Sequence, residues 1–228
     1  MFVEVNGVEL YYERVGSGPD LVMLHGNGED HTIFEQSVFH LKNHFTVHLL
    51  DSRGHGRSSP VSEFHYSDMA DDVVAFMSEV GLERPMLCGF SDGGIIGLMI
   101  AHSHPDLLSR LYVCGANTDP STLKGFGMFL CRTLPRYRND PKVRMMLTEP
   151  HITREDLSRI TIPVMVIAGS RDAVDGKDTR FIADSIRDST LCIVKGATHS
   201  SYVDGSPQLA QLILSDLGIT GFDHRGRV

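Results

Sequence analysis

The chain lacks long apolar runs and any excess of basic residues, and each absence excludes a class of function. Its 228 residues contain no apolar run of about 18, the length that a membrane-spanning helix needs. The first residues do not show a basic stretch followed by an apolar one, so we expect neither a secretory leader nor a membrane partner. The formal net charge of −8 argues against a nucleic-acid partner, because phosphate binding needs a basic face.

Cysteine is also scarce, and the sequence shows no motif that is typical of a metal site or a nucleotide site. The four cysteines show no metal-ligand spacing and no cluster that could pair, so we interpret them as buried thiols in a reducing, cytoplasmic compartment. The twelve histidines show no metal spacing either. The glycine- and arginine-containing loop 51–59 fits neither a P-loop nor a dinucleotide fingerprint. We therefore expect no metal and no cofactor.

The chain contains no internal repeat, and its pattern predicts one α/β domain over residues 1–228. It opens with two strand-like runs, 2–5 and 8–14, around Asn6-Gly7, which is typical of an antiparallel hairpin. Continuous apolar runs then alternate with helical stretches, and such alternation indicates parallel crossovers in a doubly wound sheet. The strand runs are 21–24, 45–50, 85–88, 111–114, 164–168 and 191–194. One helix is predicted over 66–80, with Ser67 or Asp68 as its N-cap.

This alternation stops between residues 117 and 159, where several short helical pieces follow one another. An insertion here cannot join the sheet without disrupting the crossovers, so we predict a small helical cap above the carboxyl ends of the strands. Basic residues outnumber acidic ones six to three over 117–149. This excess favours either an anionic acyl group in the substrate or an ordinary solvated helix face, and the sequence leaves both open.

The stretch from Leu87 to Ile95 reads Leu-Cys-Gly-Phe-Ser-Asp-Gly-Gly-Ile, at the junction of a predicted strand and a predicted helix. The pattern Gly-x-Ser-x-Gly suits a sharp turn that holds the serine in a strained backbone conformation, because larger residues at the glycine positions would collide with it. The turn presents the Ser91 hydroxyl at a helix N-terminus, where free N–H groups favour developing negative charge.

Two further residues follow strand ends and complete a catalytic set. A serine hydroxyl needs a base within hydrogen-bond reach, and that base needs a carboxylate that fixes its tautomer. His199 follows the last strand, and Asp172 follows the strand before it. Asp175 and Asp178 are rivals for the acid, but Asp172 directly follows its strand and is preferred.

The chain resembles the α/β-hydrolase superfamily over nearly its whole length. Five segments match family motifs in order: 25–28 (His-Gly-Asn-Gly), 51–58, 89–94, 169–172 and 196–199. The resemblance implies Ser91 as nucleophile, His199 as general base and then acid, and Asp172 as orienting acid. It also implies an oxyanion hole formed by the backbone N–H groups of Asn27 and Asp92.

Asp92 directly follows the nucleophile, and this elbow resembles that of the valacyclovir hydrolase-like branch. In that branch, the aspartate after the serine is associated with recognition of a substrate amino group. The resemblance therefore implies a substrate-binding role for Asp92, although a carboxylate at this position can also satisfy N–H groups at a helix start.

The leading hypothesis is a serine hydrolase that cleaves a small carboxylic ester through an acyl-enzyme. A thioester, lactone, amide or carbon–carbon bond is an alternative target on the same triad, because the triad does not select the leaving group. A ligand-binding sensor of low turnover on the same fold is the alternative from another class. The expected partner is a small-molecule substrate, and the sequence does not indicate the oligomeric state.

Overall fold

The computed structural model describes residues 1–219, with the side chains of 126–128 excluded. Residues 220–228, which the predicted domain includes, lie outside the described residues. Over the described part, eight strands form one sheet in the order β1-β2-β4-β3-β5-β6-β7-β8. The strands are β1 (Phe2–Val5), β2 (Val8–Gly16), β3 (Asp20–Leu24), β4 (Thr46–Leu50), β5 (Met86–Phe90), β6 (Arg110–Cys114), β7 (Val164–Gly169) and β8 (Ser189–Val194).

The strand directions confirm the predicted hairpin and the predicted parallel sheet. β1 and β2 pair antiparallel through Val5 and Val8, and β2 pairs antiparallel with β4. Asn6 and Gly7 both have positive φ, 47° and 77°, as the tight turn of such a hairpin requires. From β3 to β8 every pairing is parallel. The carboxyl ends of these strands therefore lie along one edge of the sheet.

Helices cover both faces of the sheet, which is why the inner strands are apolar on both sides. The helices are α1 (Glu35–Leu41), α2 (Tyr66–Glu79), α3 (Asp92–Ser103), α4 (Phe126–Thr133), α5 (Pro135–Arg138), α6 (Pro141–Thr148), α7 (Arg154–Ser158), α8 (Gly176–Ser185) and α9 (Gln208–Asp216). Two separate clusters of buried side chains result, one including residues of α2 and α3 and the other residues of α1 and α9. Within residues 1–219, no helix combines the length and apolar character needed to cross a membrane.

The start of α2 differs from the prediction that Ser67 or Asp68 caps it. The helix begins at Tyr66, and the preceding His65 makes no side-chain capping bond. Instead, the Glu149 carboxylate accepts a hydrogen bond from the Tyr66 backbone N–H at 3.0 Å. The predicted N-cap was wrong because Glu149, 83 positions away, accepts from the Tyr66 N–H. A contact between residues so far apart cannot be predicted from the local sequence.

Between β6 and β7 the chain forms α4 to α7. Several short helical pieces were expected over 117–159, and α4 to α7 lie in this stretch. Leu157 of α7 is fully buried, and α7 contacts α3 and α8. Near the start of the stretch, Leu123 forms an isolated β-bridge with Val174, and the Thr118 backbone N–H donates to the Asp178 carboxylate. A role for this stretch as a cap remains a prediction at this point.

Candidate active site

The junction of β5 and α3 forms a sharp turn with Ser91 at its apex. Ser91 has φ of 52° and ψ of −112°, a conformation that is strained for a residue with a side chain. A Cβ atom at Gly89 would lie 2.0 Å from the Gly93 carbonyl oxygen, and one at Gly93 would lie 2.2 Å from the Leu24 carbonyl oxygen. Only glycine fits at these two positions. The structure thus supplies the steric reason for the Gly-x-Ser-x-Gly pattern.

Ser91, His199 and Asp172 lie in one hydrogen-bonded chain. His199 Nδ1 is 2.6 Å from Asp172 Oδ1, and His199 Nε2 is 3.1 Å from Ser91 Oγ. An ionised carboxylate only accepts hydrogen bonds, so Nδ1 carries the proton and Nε2 is left to accept from the serine hydroxyl. The loops after β5, β7 and β8 bring the three side chains together at the carboxyl edge of the sheet. This is the edge at which the sequence analysis predicts them.

Asp172 is held as an ionised acceptor. Its carboxylate also accepts hydrogen bonds from the backbone N–H groups of Gly169 at 3.1 Å and Val174 at 3.0 Å. Burial acts to raise the pKa of the Asp172 carboxyl, but the hydrogen bond and charge of His199, together with these two donors, outweigh it and lower the pKa from its usual value. The environment therefore favours the charge that an orienting acid needs.

This pKa shift predicts how the stability contributed by Asp172 depends on pH. Because the folded-state pKa lies below the unfolded value of about 3.9, the contribution is fully present above that pH and is lost as the pH falls through the folded value. We expect the difference in unfolding free energy between the wild type and Asp172→Asn to shrink below about pH 4. Urea unfolding of both proteins between pH 3 and pH 7 measures this difference in unfolding free energy. A difference that stays constant over this range would contradict an ionised Asp172 that stabilises the fold.

The two rival acids have other partners. Asp175 accepts a hydrogen bond from the Lys177 N–H at the start of α8 and pairs with Lys124 Nζ at 2.5 Å. Asp178 is buried and accepts hydrogen bonds from the backbone N–H and the hydroxyl of Thr118. Both carboxylates thus stabilise the loop before α4, and only Asp172 of the three reaches His199.

The predicted oxyanion donors, Asn27 and Asp92, lie on adjoining segments. Asp92 is the first residue of α3, so its N–H is one of the donors that a helix leaves without an intrahelical acceptor. Asn27 lies in the turn after β3. The Gly93 N–H donates to the His25 carbonyl at 3.1 Å, which ties the helix start to this turn. The same turn passes close to the nucleophile, since a Cβ atom at Gly26 would lie 3.0 Å from Ser91 Cβ.

The Asp92 carboxylate, which the resemblance links to an amino group, is buried with only 2% of the residue exposed. Oδ1 accepts a hydrogen bond from the Tyr66 hydroxyl at 2.7 Å, and Oδ2 accepts one from Asn27 Nδ2 at 2.9 Å. Burial raises the pKa of the Asp92 carboxyl, while the two hydrogen bonds act in the opposite direction. Each oxygen therefore already has a donor from the protein, and recognition of an ammonium by Asp92 remains a prediction.

Sequence reasoning missed two residues at this site. Glu29 Oε2 accepts a hydrogen bond from the Gly26 N–H at 3.0 Å and so closes the turn that carries Asn27. Burial raises the pKa of the Glu29 carboxyl, and the Gly26 N–H acts against that shift. A carboxylate three residues after Gly26 was the available local signal. The contact of Tyr66 with Asp92 had no such signal, because it joins residues 26 positions apart.

One cluster in the described residues has the composition of a metal site. Potential ligand atoms of Asp30, His31 and Asp51 lie within 4.8 Å of one another. Each already has a protein partner: Asp30 accepts from Thr32, and His31 Nδ1 lies 2.7 Å from Asp51 Oδ1. Their hydrogen bonds account for the cluster as part of the loop structure.

Comparison with known proteins agrees with this architecture. The sequence profile of the family described as alpha/beta hydrolase fold matches residues 19–130. The enol-lactonase from Burkholderia xenovorans superimposes with a TM-score of 0.81 at 22% identity, covering 96% of this chain and all of that one. This chain has the α/β-hydrolase fold. The superposition extends the fold assignment beyond the part that the profile matches.

Curated relatives of this chain are named as hydrolases and esterases. Serine hydrolase BPHL of Homo sapiens is 27% identical over 235 residues, which cover 88% of this chain and 80% of that protein. A pimeloyl-[acyl-carrier protein] methyl ester esterase of Aeromonas hydrophila is 26% identical over 248 residues, covering 88% of this chain and 96% of that protein. The chain is therefore similar over most of its length to a serine hydrolase and to an enzyme that cleaves a methyl ester.

Proposed function

We propose that this chain is an α/β hydrolase that cleaves a small carboxylic ester through an acyl-enzyme formed on Ser91. The observation that carries the proposal is the hydrogen-bonded chain from Asp172 through His199 to Ser91 Oγ, with distances of 2.6 and 3.1 Å. This geometry suits transfer of the serine proton to His199 Nε2 as Oγ attacks an acyl carbon.

In the first half of the reaction, Ser91 Oγ forms a bond to the acyl carbon while His199 takes its proton. The backbone N–H groups of Asn27 and Asp92 stabilise the negative charge that develops on the acyl oxygen. Collapse of this intermediate breaks the bond to the alcohol, which leaves with the proton from His199. Water then repeats the sequence on the acyl-enzyme, with His199 as base, and releases the acid and Ser91.

We further propose that α4 to α6 form the cap over this site. Asn27 Nδ2 donates to the Lys142 carbonyl at 3.3 Å, which places the start of α6 beside the oxyanion turn. A substrate would then lie between this cap and the sheet edge. The proposed setting is the cytoplasm, in keeping with the free thiols at all four cysteine positions.

Steady-state hydrolysis of matched nitrophenyl esters tests this function. The panel holds leaving group and chain length constant and varies the charge of the acyl group: neutral butyryl, anionic succinyl and cationic aminobutyryl. We expect many turnovers on at least one ester, together with labelling of Ser91 by a fluorophosphonate, located by peptide mass spectrometry.

The ranking of the esters separates the open alternatives. Preference for the succinyl ester would support anion recognition by the basic cap, and preference for the aminobutyryl ester would support recognition of an amino group. A single slow acylation without turnover would favour the ligand-binding sensor. Labelling of Ser91 without ester cleavage would favour a lactone, thioester, amide or carbon–carbon bond as the target.

A further inference from the structure

The Asp92 carboxylate joins two parts of the fold that meet behind the nucleophile. Tyr66, at the start of α2, donates to one carboxylate oxygen, and Asn27, in the turn after β3, donates to the other. Tyr66 is 1% exposed and Asp92 is 2% exposed, while Asn27 is half-buried. In the described residues no salt bridge to Asp92 is present, and both donors are neutral groups. A carboxylate buried in this way lowers stability unless its hydrogen bonds are retained.

The side chain of Asn27 is fixed from two directions. Its Nδ2 donates to Asp92 at 2.9 Å and to the Lys142 carbonyl at 3.3 Å. The backbone N–H of the same residue is the oxyanion donor of the proposed mechanism. An amide that is anchored on both sides limits rotation of the Asn27 backbone, and catalysis by an oxyanion hole depends on donors held in advance where charge develops.

The network also reaches the segment between β6 and β7. The Tyr66 backbone N–H donates to Glu149 Oε2 at 3.0 Å, while the Tyr66 hydroxyl donates to Asp92 at 2.7 Å. Tyr66 therefore links the end of α6 to Asp92, and Asn27 links the start of α6 to Asp92. Movement of this segment would be transmitted to the oxyanion turn through these two residues.

We propose that Asp92 and Tyr66 are positioning residues that hold the oxyanion turn through Asn27, and that the Asp92 carboxylate does not bind the substrate. This inference rests on the proposed function. Loss of the network should lower kcat while KM stays nearly unchanged, and the loss should be the same for neutral and amine-bearing esters. A carboxylate that binds an ammonium would instead act on KM and on the amine-bearing ester alone.

The test compares Asp92→Asn and Tyr66→Phe with the wild type on the butyryl and aminobutyryl esters. An asparagine at position 92 has one acceptor oxygen for two donors, so its NH₂ group must face either Tyr66 or Asn27. We expect kcat to fall about tenfold or more for both esters, part of the effect of losing one oxyanion donor outright. Tyr66→Phe, which leaves Asn27 paired, should give a smaller decrease in the same direction.

An exchange of the two side chains provides the rescue. In the double variant Asn27→Asp with Asp92→Asn, an aspartate at 27 accepts from the asparagine NH₂ group, and the asparagine oxygen accepts from Tyr66. We expect kcat to recover part of the loss seen in Asp92→Asn, and the recovery to be incomplete because the Lys142 carbonyl then faces a carboxylate oxygen in place of an N–H donor. An unspecific loss of stability would not be reversed by this exchange.

Tyr112→Phe is the matched control. Tyr112 is fully buried and its hydroxyl donates to Asp216 at 3.0 Å, linking β6 to α9 away from the site. Its removal deletes a tyrosine–aspartate bond while Arg110 still donates to Asp216, so we expect a small decrease in Tm and an unchanged kcat.

The results separate this inference from the proposed function. An unchanged kcat in Asp92→Asn, or a loss confined to KM of the aminobutyryl ester, would overturn the positioning role while leaving the serine hydrolase intact. If the wild type neither hydrolyses the esters nor reacts with fluorophosphonate at Ser91, the proposed function fails and the inference fails with it. The rate of fluorophosphonate labelling gives a second readout, because the oxyanion hole also stabilises that reaction; equal rates in wild type and variants would count against positioning.

Discussion

Replacement of Ser91 by alanine is expected to lower kcat for ester hydrolysis by about 10⁴-fold or more, the range found when a triad nucleophile is removed. In the proposed mechanism, the hydroxyl oxygen is the atom that bonds to the acyl carbon, and water held by the remaining groups is a poor substitute. The substitution keeps Cβ, so the packing around the turn is retained. We therefore expect a folded protein with a Tm close to that of the wild type.

Measurement of kcat on the ester panel, with circular dichroism and thermal unfolding in parallel, checks this result. Ser52→Ala is a matched control, because Ser52 is a buried serine just after β4 whose hydroxyl has no hydrogen-bond partner among the described residues. Its activity should equal that of the wild type. Ester hydrolysis that survives in a pure preparation of Ser91→Ala would show that another group is the nucleophile.

Replacement of Asp172 by asparagine has the second largest expected effect, a decrease in kcat of roughly 10⁴-fold. The carboxylate accepts from His199 and from the N–H groups of Gly169 and Val174. An asparagine must direct its NH₂ group at one of these donors. If that group faces His199, it donates to Nδ1, and the imidazole then carries its proton on Nε2, where it cannot accept from Ser91.

Asp178→Asn is the control for this variant, because it changes a carboxylate that the sequence left as a rival. Asp178 accepts two hydrogen bonds from Thr118. Its replacement should therefore lower the free energy of unfolding by about 1 to 3 kcal/mol with little effect on kcat. Both variants are compared by kcat on the preferred ester and by urea unfolding. Equal losses of kcat in the two would argue against Asp172 as the orienting acid.

Much of this site could be predicted because its signals are local. The glycines around Ser91 are required by contacts within a few residues of the turn or with the neighbouring strand. The positions of Asp172 and His199 followed from the rule that parallel strands end at one edge of the sheet. The hairpin at Asn6-Gly7 is likewise a property of two adjacent residues.

The partners of each side chain were less predictable. The sequence could rank Asp172 above Asp175 and Asp178, but the hydrogen bond to His199 depends on how the loops after β7 and β8 fold. The predicted N-cap of α2 was wrong because the Glu149 carboxylate accepts the hydrogen bond from the first N–H of the helix. Asp175, one of the rival acids, is instead the N-cap of α8.

Asp92 shows most clearly which features follow from the sequence and which depend on the tertiary structure. The sequence by itself determined an α/β-hydrolase sheet, its nucleophile turn and an acidic residue directly after Ser91, because strand periodicity and turn sterics act over a few residues. Only the tertiary structure decided that this carboxylate is buried between Tyr66 and Asn27. Burial and hydrogen bonding are fixed by segments distant in the chain, and those contacts decide what the same residue can do.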